Sequence, residues 1–136
     1  MRLARKLWQL IEEPRTRRVM WSLLYAAILI AGAAAMVMPP KSVEWQIGEV
    51  LTAIWSGMLT IGGGLGAWAT LTRYWVIERM AILLCGHGAA IYGATIFMNH
   101  FVEHGNRITQ LGFVVAFILA LAVRHWDIRY WNRDPR

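Results

Sequence analysis

Charge is scarce in this sequence. Charged residues make up 16% of the chain and hydrophobic residues 57%, where an ordinary soluble domain carries about 25% charged and about 45–50% apolar residues. That deficit leaves too little polar surface for a typical water-soluble domain and makes a membrane protein the first expectation. Cysteine is nearly missing as well. Cys85 is the only one, which excludes an intrachain disulfide and leaves the redox compartment unread. Proline is confined to Pro14, Pro39, Pro40 and Pro135, all outside the long apolar runs. Nothing in those runs therefore removes a backbone donor or forces a kink.

What is present fits four membrane spans. Apolar runs cover about 19–38, 47–71, 76–98 and 108–126, near the roughly 20 residues needed to cross a hydrocarbon core about 30 Å thick. With no proline inside them, they predict uninterrupted helices that satisfy their own backbone groups, as lipid demands. The expected fold is all-α, a single integral membrane four-helix bundle over residues 1–136. The first run begins only after Arg17 and Arg18 and is followed by further runs, so it reads as a span and not as a cleaved secretory signal.

Charge distribution predicts the orientation. Of the 14 Lys and Arg, all but Lys41 and Arg107 fall in the N-terminal segment, in the turn between spans two and three, or in the C-terminal tail. The positive-inside rule then puts both termini in the cytoplasm. Trp21, Trp68, Trp75, Trp126 and Trp131 are expected to anchor the inner interface and Trp45 the outer one, while Trp55 lies deeper in span two. Residues 3–11, LARKLWQLI, place Leu3, Leu7, Leu10 and Ile11 on one helical face flanked by Arg5 and Lys6. They predict a short interfacial helix over about 2–13, ended by Pro14. The net charge of +6 has no basic helix face to read nucleic acid with. Its expected partner is anionic lipid at the cytoplasmic face.

Small residues give the spans distinct faces. Span two holds Gly57, Gly62, Gly63, Gly64 and Gly66, with a GxxxG spacing between Gly62 and Gly66. Thr52, Ser56, Thr60, Gly63, Ala67 and Thr70 follow at three- and four-residue steps as a weakly polar stripe. Span three adds Gly86, Ala90 and Ala94, and separately Ala89 and Gly93; span one adds Ala27, Ala31 and Ala35. Such faces let helix backbones approach closely, which in lipid replaces the hydrophobic drive to associate. They serve either packing within one subunit or association into a homo-oligomer, and the sequence leaves both open.

Residues with chemical potential are few. His100, Glu103 and His104 spell HxxEH, the pattern of the inverzincin metalloproteases. It sits at the outer end of span three, is followed at once by Gly105, and has no acidic third ligand in the loop and span beyond. Polar residues at a helix end account for it; His100 and His104 remain weak metal candidates. His87 lies near the middle of span three between Gly86 and Gly88, where an ionisable side chain is a functional candidate by default. Its glycine neighbours predict that it faces another helix. No Asp, Glu, Lys or Arg lies in the central part of any span, and Glu49 and Glu78 sit near span ends, Glu78 adjoining Arg79. That pattern argues against exporters of the small multidrug resistance type, which need an embedded carboxylate, and no charged ring or filter marks a channel. The Gly62–Gly64 run is no phosphate loop, since it lacks the strand and the Lys-Ser/Thr. Neither catalysis nor a cofactor is expected.

Residues 39–92 nevertheless carry a resemblance. Pro39-Pro40-Lys41-Ser42-Val43-Glu44, Leu51-Thr52-Ala53-Ile54-Trp55, Gly63-Gly64-Leu65-Gly66-Ala67, Trp75-Val76-Ile77-Glu78-Arg79 and Ala90-Ile91-Tyr92 resemble the small four-span membrane proteins of actinobacteriophages, some of which are regarded as holin-like. The resemblance implies a phage origin and carries no functional residues with it. With the small size, basic ends and glycine-rich spans, it makes the leading expectation a self-associating protein that permeabilises the host cytoplasmic membrane for lysis. The rival expectations are a non-lytic phage membrane protein, acting in superinfection exclusion or assembly through its tail RHWDIRYWNRDPR, and a small transporter or channel.

Overall fold

A computed structural model describes residues 15–72, 74–102 and 107–131. Four helices follow one another: α1 (Arg15–Val37), α2 (Lys41–Thr72), α3 (Trp75–Val102) and α4 (Ile108–Trp131). Each contains a stretch long and apolar enough to cross a membrane: Thr16–Val37, Val43–Thr72, Trp75–Phe101 and Ile108–Arg129. These enclose the four predicted spans, apart from Met38 just past the first. The predicted interfacial helix lies outside the described residues.

The helices pack in sequence order, α1 on α2, α2 on α3 and α3 on α4. Contacts between neighbours run in opposite directions along the two helices. On α1 and α2, Gly32 meets Thr60 while Tyr25 meets Gly66; on α2 and α3, Trp55 meets Tyr92 while Gly62 meets Cys85. The bundle is therefore up-down-up-down, and the start of α1, the end of α2, the start of α3 and the end of α4 share one end.

One correction concerns span two. Helical structure starts at Lys41 rather than near residue 47, and Gly48 interrupts it with φ 78 and ψ 166. Only glycine takes that positive φ without a Cβ penalty, so the expected uninterrupted span is broken here without any proline. The loop before it is a short helix opened by the Pro40 carbonyl, which accepts from Val43 N at 2.8 Å and Glu44 N at 3.1 Å. The break folds that piece back so that Val43 is buried with Ala35 and Trp55, which closes the bundle at the end opposite the termini.

A larger core, built on Tyr25, Ile28, Ala81, Ile82, Cys85, Leu121 and Ile128, fills the end that holds the helix termini. Helix α4 is held mainly there. Leu121 and Ile128 are its buried hydrophobic residues, whereas Phe113, Val115, Leu119, Val123 and Trp126 face outward.

Candidate functional site

The weakly polar stripe of α2 is satisfied within its own helix. The hydroxyls of Thr52, Ser56, Thr60 and Thr70 donate to the carbonyls four residues earlier, Gly48, Thr52, Ser56 and Gly66, at 2.6–2.8 Å. Thr52, Ser56 and Thr70 are buried, and the single O–H donor of each is spent on the backbone. A ligand that needs hydrogen-bond donors from this face finds none in these hydroxyls.

Glycines on the same helix mark where other helices come close. A Cβ on Gly63 would stand 2.5 Å from Leu29 N, and one on Gly62 2.8 Å from Cys85 Sγ. At Gly66 it would enter the Tyr25 ring. Ala67 joins the packing around the larger core and accepts a hydrogen bond from Ser22 at 3.1 Å. Gly93 lies against Val114 of α4. Two glycines that the sequence patterns passed over act alike: Gly32 fits against the Thr60 backbone, and Gly88 against Leu59 and the Trp55 carbonyl. Gly88 follows Ala81 and Cys85 at helical four- and three-residue steps, and that spacing was the signal available for it. The α2 face is thus packed against α1 and α3 within the subunit.

The exterior of α3 differs. Gly86 has nothing within 4 Å of the position its Cβ would take, and His87, Ala90 and Ala94 all lie on the outside of the bundle. The expectation that His87 faces another helix is therefore overturned. The glycines beside it belong to different faces, since Gly88 turns toward α2 while Gly86 stays outside with the imidazole. His87 Nδ1 lies 2.7 Å from the Leu83 carbonyl. A carbonyl only accepts, so the proton is assigned to Nδ1 and Nε2 is left as an outward acceptor.

Two ion pairs between described residues stand at the end that holds the helix termini. Glu78 Oε1 accepts from Arg124 Nε at 2.7 Å, with side-chain exposures of 7% and 12%. The Arg124 guanidinium carbon lies 5.5 Å from the centre of the Trp21 ring, within cation–π range. Asp127, three residues on, pairs with Arg17 of α1. Glu78 is thus committed to an arginine of α4 rather than to its neighbour Arg79. The two pairs link α1, α3 and α4, helices that are distant in sequence.

The aromatic anchors divide. Trp45, Trp68 and Trp126 are exposed on the bundle surface, and Trp68 stacks on Tyr74 with ring centres 5.2 Å apart. Trp21 and Trp75 pack partly into the larger core. Trp55 is buried and stacks on Tyr92 at 5.3 Å. The Trp131 side chain lies outside the described residues. So do Glu103 and His104 of the HxxEH pattern, and no cluster of three metal-ligating side chains occurs among the described residues.

Four long apolar helices with outward-facing hydrophobic side chains define a multi-pass helical membrane protein. No protein-family model, no curated protein and no solved structure matches the chain.

Proposed function

We propose that this is a phage-encoded, holin-like protein that self-associates in the host cytoplasmic membrane, both termini cytoplasmic, and permeabilises that membrane for lysis. The observation that carries the reading is His87, an imidazole with an unpaired acceptor on the exterior of a membrane-spanning helix, set beside Gly86 and Ala90. Polar side chains are costly against lipid, and small neighbours let another backbone come close enough to cover one. Several residues that carry the phage resemblance sit at helix contacts, among them Gly63, Gly66, Trp55, Tyr92 and Glu78. What that resemblance would carry over is architecture.

Two rivals fare less well. A partner-binding tail has Arg124 and Ile128 already engaged by Glu78 and the core. A proton-coupled transporter needs a carboxylate free to exchange its proton, and the buried Glu78 is held by Arg124.

Two measurements test the proposal. On induced expression in a bacterial host with a membrane-potential dye, a lag followed by abrupt depolarisation and growth arrest is expected; continued growth at high expression rejects lysis. Gly86→Leu should reduce cross-linked oligomers on the order of ten-fold, a loss of about 1.4 kcal/mol, with monomer stability unchanged. Oligomers that persist in this variant exclude the α3 exterior as the contact.

A further inference from the structure

Among the described residues, the arginines outnumber the carboxylates at the end that holds the helix termini. The described carboxylates there, Glu78 and Asp127, are taken by Arg124 and Arg17. Arg79 is left over: it forms no hydrogen bond or ion pair, and its Nε is enclosed without a partner. Its two Nη groups are neither enclosed nor bonded, so they are what it offers to an acceptor. Arg129 of α4 is exposed and likewise makes no ion pair.

Both stand at the same end of the bundle, Arg79 near the start of α3 and Arg129 near the end of α4. Arg79 follows Glu78, whose carboxylate reaches α4 at Arg124, so it lies beside the α3–α4 contact at that end. With its Nε enclosed, the stem of Arg79 is held while its tips remain open. Trp126 and the Trp68–Tyr74 stack are exposed at this same end, and such rings belong at headgroup level.

We propose that Arg79, supported by Arg129, binds the phosphate of an anionic phospholipid at the foot of the α3–α4 seam. An uncompensated guanidinium at headgroup level meets lipid phosphate before any soluble anion, and its planar fork can take two phosphate oxygens at once. The inference rests on the reading of anionic lipid as a partner, and it names the residues that hold it.

The test uses the full chain reconstituted in equimolar phosphatidylcholine and phosphatidylglycerol, extracted into mild detergent, with retained lipid read by native mass spectrometry. The wild type should keep phosphatidylglycerol preferentially. Arg79→Gln should lower its retention about five-fold, the effect of one basic residue near an anionic surface. Arg79→Lys should fall between the two, Arg129→Gln should cause a smaller loss, and Lys41→Gln at the opposite end should change nothing. Millimolar inorganic phosphate should leave the retained lipid in place; displacement by phosphate would assign the site to a free anion and overturn the lipid. Equal retention by wild type, Arg79→Gln and Arg129→Gln would overturn the site altogether. Release of the chain from membranes by alkaline carbonate would defeat the membrane reading itself, and the lipid site with it. A chain that resists carbonate and retains lipid regardless of Arg79 defeats only this inference.

Discussion

Glu78→Gln is expected to destabilise the bundle by about 3–5 kcal/mol, the cost of leaving one partner of a buried ion pair without the other. Arg124 would remain nearly enclosed, still over the Trp21 ring, with no carboxylate to offset its desolvation. The loss should fall mainly on α4, because its buried hydrophobic residues, Leu121 and Ile128, lie on either side of the pair in the chain. Unfolding in a denaturing-detergent titration would report the total. Cysteine labelling at substituted α4 positions would report whether that helix detaches first. Replacing Glu78 and Arg124 together by leucine should restore most of the stability, since a buried pair exchanged for apolar side chains is often neutral or better. Wild-type stability in Glu78→Gln alone would show that the pair holds nothing together.

Gly63→Leu should be as damaging for a different reason. The obstacle at Gly63 is the backbone of α1 at Leu29 and Tyr25, which cannot rotate aside as a side-chain tip does. Overpacking of a well-filled interface costs about 1–3 kcal/mol. With backbone on the receiving side, the upper end of that range is expected, as loss of α1–α2 association. Its contrast with Gly86→Leu is the informative part. Both substitutions add the same side chain to a glycine in a membrane helix, yet one meets α1 inside the subunit and the other meets open space. Equal stability loss in the two variants would contradict the assignment of inner and outer faces.

Much of this architecture was legible in the chain. Helix number and approximate bounds follow from run length and from proline confined to the ends, because a backbone in lipid must bond to itself. The small stripe on α2 was legible as a packing face, since threonines and glycines at three- and four-residue steps have no reason to meet lipid. What that face packs against was not. Gly63 meets α1 and Gly62 meets α3, and periodicity along one helix does not name its neighbour.

The break at Gly48 was missed because a glycine inside an apolar run reads as helix unless the fold imposes a positive φ. His87 was misplaced for a related reason. Adjacent residues on a helix lie about 100° apart, so Gly86 and Gly88 could not both indicate the side on which His87 faces. Pairing of Glu78 with Arg124 rather than Arg79 was equally hidden, because consecutive residues on a helix point apart while the antiparallel course of α3 and α4 brings residues far apart in sequence to one level.

The sequence by itself determined that this is a four-helix membrane-spanning chain with basic ends and glycine-lined helices, because hydropathy, length and backbone satisfaction are properties of segments. Only the tertiary structure decided which small faces are spent inside the subunit, which carboxylates neutralise which arginines, that His87 faces outward and that Arg79 is left without a counter-charge. Those outcomes depend on helix rotation and register, which arise when four helices compete for the same interior.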